Sequence, residues 1–396
     1  MITTGVTGGR WRASITPYGA VVPANGEPAL DWHIAADDRW HSPERETTVR
    51  QRRIDGTAVV ETRVRIPDGD AVQRVYSVAD HGGLTVIEVE NESPLPIAIA
   101  FTHGNLLSQR PPTAPIAGIT VPPESVAFPV GHRATLTVAI PHNPEAIAGT
   151  LPAGLPVADA VARGWLSTVE RAGRLLLPEA ELGERVVATR CELSLCGPPS
   201  ADDDSLGFML VVDQLVRMGE VAEPYVPQLA HALELAAKAR PNSSAADADW
   251  VLAAAVSAAD RVLAATGDPR ARRDLAALVR RLDARDHLPA DVPVDPVRGL
   301  AWIERRMVAS SDGRAQLLPA GVPNSWFGHN FEVFDLPTGG TGTVSYAIRW
   351  HGERPAVLWE QSPAADGPTV LTSPVLAPQW STADVSGEAL WDKYNR

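Results

Sequence analysis

The chain has 396 residues, 44% of them hydrophobic and 21% charged, the balance of a globular protein with room for two to three domains and a sizeable core. Its net charge of −13 argues against nucleic acid, whose phosphates need a basic surface, and against adsorption to an anionic membrane surface. Thirty-five prolines and 31 glycines indicate many turns, and eleven tryptophans beside six phenylalanines and five tyrosines favour a ligand that stacks on rings, although any single Trp is more often a core residue.

Residues 1–150 read as an antiparallel β-sandwich. The segment Met1–Arg12 lacks the charged-then-apolar pattern of a signal peptide, and no apolar run approaches the ~20 residues of a membrane span, so a cytoplasmic protein is expected. Val59–Arg65 and Val72–Val78 alternate apolar and polar residues, Leu84–Val89 and Ile97–Phe101 follow, and Ala134–Ile140 alternates again. Turn signals separate them: Pro67-Asp68-Gly69-Asp70, His81-Gly82-Gly83 and the stretch Asn91–Pro96. Asn91-Glu92-Ser93 fits a glycosylation sequon but is expected to serve as a strand-connecting turn.

Residues 151–314 change to helical spacing. Helices are predicted over Val157–Leu175, from Asp204-Ser205 to Met218, over Pro224–Ala239, Ala248–Ala265 and Pro269–Leu282, with short links that imply antiparallel hairpins. Glu184–Leu195 reads as an inserted strand, which would set Cys191 and Cys196 on opposite faces as two buried thiols with no disulfide. Residues 315–396 return to strand patterning. Leu317-Leu318-Pro319 reads as a helix exit, Val344, Tyr346, Ile348 and Trp350 alternate, and Ala356–Trp359 completes a hairpin that turns both Trp350 and Trp359 to the core. The fold class is therefore α+β and multidomain, with antiparallel sheets at both ends.

Three local clusters could carry chemistry. Asp31-Trp32-His33 with Asp37-Asp38-Arg39-Trp40-His41 places carboxylates beside indoles, as a sugar site does; the plainer reading is a strand end with an Asp-Asp turn. Trp326, His329, Asn330, Glu332 and Asp335 could hold an acid/base pair, or simply a junction between helix and sheet. Asp202-Asp203-Asp204 could bind a divalent cation but more simply caps the helix that follows. The candidates are thus Asp38 and Glu332 for catalysis and Trp32, Asp37, Trp40, Trp326 and His329 for substrate, with no metal and no cofactor expected. No dinucleotide fingerprint, phosphate loop, His-Glu-x-x-His or Gly-x-Ser-x-Gly elbow occurs.

A sandwich, a linker helix with Gly164-Trp165, helical hairpins and a C-terminal β module resemble the six-hairpin (α/α toroid) glycoside hydrolases of bacteria. The specific residues are Leu317-Leu318-Pro319 with Trp326 and Gly328, and Arg349-Trp350-His351-Gly352 with Arg354-Pro355-Ala356. At ~11–12 residues per mean helix plus connections, the space between the β regions holds about six helices, so the resemblance implies a shortened toroid. No residue here matches the family's general acid. Two functions follow: a glycosidase-like enzyme acting on an oligosaccharide with two carboxylates, or a non-catalytic relative that binds a glycan or a protein partner.

Overall fold

The computed structural model describes residues 1–113, 116–143, 150–239, 246–282, 288–311, 313–365 and 367–393. They form two compact units, Met1–Leu166 and Ser167–Arg396.

The first unit is sandwich-like, and every strand pairing in it is antiparallel. One sheet runs Val126–Val130, Ile97–Phe101, Trp32–Ala35, Trp40–His41; the other runs Leu107–Ser108, Thr135–Pro141, Leu84–Asn91, Gly69–Val78, Val60–Ile66, Arg50–Arg53. Ile34, Ile99 and Phe128 from the first sheet and Val75, Ile87 and Val138 from the second share one buried core. A third, three-stranded sheet of Ile2–Gly5, Arg12–Ile15 and Val21–Pro23 adds Ala13, Ile15 and Val21 to it. Leu84–Ile87 is buried on both faces, whereas Glu88 and Glu90 are only partly buried and alternate with buried Val89 and Asn91, so strict alternation begins only in the second half of the strand.

The second face of that sheet carries a polar seam. Thr4 Oγ1, Ser77 Oγ, Thr85 Oγ1 and His142 Nε2 form a chain of hydrogen bonds at 3.0, 2.9 and 2.9 Å. The His142 ring lies flat on Trp11 with centroids 4.1 Å apart, and burial pushes it down to about 4, so it is neutral at pH 7. Near the Arg50–Arg53 edge, charges alternate across the register: Glu61 opposes Arg52 on one side and Arg74 on the other, and contacts both at 2.9 and 3.1 Å. Asn91 is fully buried. Its amide donates to the Leu95 and Gly131 carbonyls and its Oδ1 accepts from Ser93, so the sequon asparagine closes the turn.

Seven α-helices are described: α1 Ala158–Val169, α2 Ala180–Cys196, α3 Ser205–Arg217, α4 Val226–Ala239, α5 Ala246–Ala265, α6 Pro269–Leu282 and α7 Pro296–Met307. Asp204 caps α3 by accepting from the Gly207 amide at 2.9 Å. Asp295 caps α7 in the same way, with Pro296 at the first helical position.

Several expectations are corrected. The segment Glu184–Leu195 is helical. Its β-branched residues suggested a strand, but Val186, Thr189, Arg190 and Leu193 are buried at helical spacing, and Gly197 ends the helix at φ 72°. Cys191 is then buried and Cys196 exposed, with no disulfide. The first predicted helix stops at Val169; Gly173, at φ 107°, reverses the chain into the strand Arg174–Leu176. A Cβ there would lie 2.9 Å from both Leu336 Cδ2 and the Phe334 carbonyl, so only glycine fits. Leu317 ends a strand, not a helix, and Leu318 takes φ 51° while fully buried. Apolar residues before proline terminate either element, so the sequence did not distinguish them.

Two sheets complete the second unit. Arg174–Leu176, Phe331–Gly339, Gly342–His351, Arg354–Ser362 and Ser386–Leu390 are antiparallel throughout. In the second sheet Arg314–Leu317 pairs with Val370–Ser373 in parallel, against the expected all-antiparallel module, because the long connection between them lets the chain return in the same direction. Trp359 is in the core at 8% exposure, its indole N–H donating to the Asp384 carbonyl; Trp350, at the strand end, is only half-buried and packs on Phe327. No described helix is long and apolar enough to cross a membrane.

Candidate functional site

The residues singled out from the sequence fall in both units. In the first, Trp32 is 2% exposed and its indole N–H donates to the Tyr18 carbonyl at 2.9 Å, so its ring belongs to the core. Asp37 is exposed in the turn between two strands. Asp38 accepts from His41 Nε2 at 2.9 Å, which holds that turn and draws the carboxyl below its usual range. Trp40 is half-buried, donates to the Ala117 carbonyl, and lies against Gly118.

In the second unit Trp326 is 1% exposed, donates to Glu179 Oε1 at 2.9 Å, and meets Phe331 edge-on. His329 is exposed, and Glu332 pairs with Arg349 rather than with His329. Asn330 Oδ1 accepts from the Trp350 amide, and Asp202 accepts from His231. Each cluster is therefore internally tied, and neither Trp32 nor Trp326 offers a ring face to a ligand.

A large concavity lies elsewhere, in the second unit. It is a groove of about 790 Å³ with one wall on α5 and α6. Ala253, Val256, Leu275, Ala276 and Val279 give it an apolar floor. Ser310, Thr338, Gly339, Gly340, Pro368 and Thr369 line it as well. Among the described lining residues are five arginines, Arg261, Arg272, Arg280, Arg305 and Arg314, against one carboxylate, Asp260, and no aromatic ring. Gly340, at φ 52°, permits close approach of Arg272; a Cβ there would lie 3.2 Å from its Nη2.

The groove deepens into a recess of about 40 Å³ that shares Ser257, Arg261, Arg305 and Ser310 with it and adds Asp213, Gln214 and Glu304. Here the helices are clasped by a buried ionic network. Arg190 from α2 donates to Glu304 Oε1 at 2.6 Å, to Gln214 Oε1 at 3.1 Å and to the carbonyls of Val169 and Ala172. Arg217 from α3 donates to Glu304 Oε2 at 2.8 Å, and the Gln214 amide reaches both Glu304 oxygens at 3.0 Å. Arg261 from α5 grips Asp213 with two bonds, at 2.8 and 2.7 Å. Burial alone would raise the Glu304 carboxyl, but Arg217 and Arg190 outweigh it and hold it at about 2.

The carboxylates of this arrangement are already engaged. Asp260 has both oxygens engaged by Arg272, at 2.9 and 3.1 Å, and Asp213 has both engaged by Arg261. Arg280 and Arg314 sit exposed on the rim with no carboxylate partner among the described residues. Sequence reasoning passed over these arginines, although a signal existed: residues 269–282 hold five arginines against one aspartate in a chain of net charge −13. No protein-family model matches the chain, and no curated protein matches it.

Proposed function

We propose that this chain binds an acidic glycan in the α5–α6 groove of its second unit and does not cleave it. The observation that supports the reading most is the pairing of charge: guanidinium groups converge on the groove while every described carboxylate in it is already engaged. A glycosidase needs one carboxyl that keeps its proton near neutral pH and a second about 5–10 Å away. Glu304, held at about 2, has no proton to give at pH 7, and Asp213 and Asp260 present no free oxygen. Glycan is the ligand class because the order of parts resembles the bacterial six-hairpin glycoside hydrolases. Without an aromatic platform the acidic groups of the sugar must supply the affinity.

Calorimetric titration tests this. Trigalacturonate should bind saturably, weaken as salt rises, and lose about tenfold or more in affinity in the Arg280→Glu/Arg314→Glu double variant, a change of about 1.4 kcal/mol. Maltotriose should not bind, and no new reducing ends should form. Equal affinity for both sugars, or liberated reducing ends, would overturn the reading. Saturable binding of polyglutamate but not trigalacturonate would replace it with a protein partner.

A further inference from the structure

The first unit carries a serine–histidine pair that the groove does not involve. Along Trp32–Ala35 the strand alternates, so Trp32 and Ile34 enter the core while His33 takes the opposite face, and Asp31 falls on the same side as His33. There His33 Nδ1 lies 3.0 Å from Ser42 Oγ. Ser42 directly precedes the 3₁₀ turn Pro43–Arg45, the position where a serine hydroxyl ordinarily caps the turn. It makes no capping bond here; the hydroxyl is turned to the imidazole instead.

The pair opens on a cavity of about 340 Å³ whose polar lining includes Tyr18, Asp31, His33, Ser42, Glu44 and Arg45. Burial is the main influence on His33 and pushes it below its ordinary value; Asp31 opposes this and Arg45 reinforces it. The ring is therefore neutral at pH 7, with one nitrogen able to accept a proton.

We propose that Ser42 is a nucleophile and His33 its general base, in a second site that hydrolyses carboxylic esters. Ser42 Oγ forms a bond to the ester carbonyl carbon as its proton passes to His33 Nδ1. The alkoxide leaves and takes that proton as the alcohol. Water then attacks the acyl-serine, His33 accepts the water's proton and returns it to Ser42 Oγ, and the carboxylic acid departs. Asp31 favours the transient imidazolium by its charge, and Arg45 adds a positive charge to the same cavity wall, suited to the oxyanion that develops.

The test uses the full chain and two probes. With p-nitrophenyl acetate the wild type should release p-nitrophenolate at a rate that rises with pH through the titration of His33. Ser42→Ala and His33→Gln should each lose about 100-fold, within the range of general-base contributions. With a fluorophosphonate, intact mass should show one adduct, and peptide mapping should place it on Ser42. Ser42→Ala removes a single hydroxyl, so its circular dichroism and melting temperature should match the wild type and separate loss of chemistry from loss of fold. Wild-type rates in Ser42→Ala, or an adduct mapped away from Ser42, would overturn the proposal.

Discussion

Replacing Glu304 by glutamine keeps the side chain's shape but removes the carboxylate that Arg190 and Arg217 share. Arg190 is 1% exposed and the Arg217 side chain 13% exposed, so neither guanidinium gains much water in exchange. Breaking a buried ion pair from one side costs roughly 3–5 kcal/mol, because a charge is left uncompensated. Linkage gives a similar size: a carboxyl at about 2 in the folded state against 4.5 unfolded is worth about 3 kcal/mol at pH 7. The folded value is the lower one, so this stabilisation is fully present above pH ~4.5 and is lost as pH falls toward ~2. Urea unfolding of the full chain, followed by tryptophan fluorescence with Trp250 and Trp302 as buried reporters in the second unit, reads the effect. The midpoint of that unit should drop at pH 7, and the gap between wild type and variant should narrow as pH falls from about 5 to about 2. A loss under about 1 kcal/mol at pH 7, or a gap that does not change with pH, would refute the claim that this network clasps the helices.

Other expected outcomes follow from the packing. Trp359→Ala should destabilise the second unit by roughly 3–5 kcal/mol in the same unfolding assay, since the indole is buried, donates to Asp384 and meets Trp380 edge-on at 5.4 Å. Gly387→Ala should destabilise it as well, because a Cβ would sit 2.6 Å from the Trp359 ring; an unchanged melting temperature would show that the strand can shift away. His142 is held at about 4, below its unfolded value of 6.5, so it contributes stability fully present above pH ~6.5 and lost as pH falls toward ~4. Allowing for its partial exposure, the contribution is about 1–2 kcal/mol, and His142→Asn should flatten the stability profile of the first unit across that window.

The parts of the fold that were legible in the sequence are those with strong local period. Ile97–Phe101 and Pro269–Leu282 fall where their patterns place them, and Asp204 caps the helix that its position before an apolar run announces. What failed was decided by tertiary partners. Val186 to Leu195 carries β-branched residues that local propensity assigns to a strand, yet Arg190 makes its bonds to α3, α7 and the 169–173 turn only from a helix. The parallel partner of Arg314–Leu317 lies more than fifty residues away, and no local pattern encodes the direction of so distant a strand.

The candidate site was less legible than the fold. Trp32 and Trp326 drew notice as sugar platforms, but an indole beside a carboxylate in sequence says nothing of which face its strand turns inward. The groove arginines come from α5, α6, α7 and residue 314, and only the cluster within α6 was visible as a run. Ser42 and His33 stand nine residues apart across a strand pair, a spacing that fits no catalytic motif until the chain turns back between them.

Whether the groove holds an acidic glycan intact can be seen in a crystal structure of the full chain soaked with trigalacturonate. An intact trisaccharide should lie along the α5–α6 groove, with carboxylates within about 3.5 Å of the Arg280 and Arg314 guanidiniums and both glycosidic bonds unbroken. A cleaved sugar in that groove, or an intact one bound away from these arginines, would contradict the proposal.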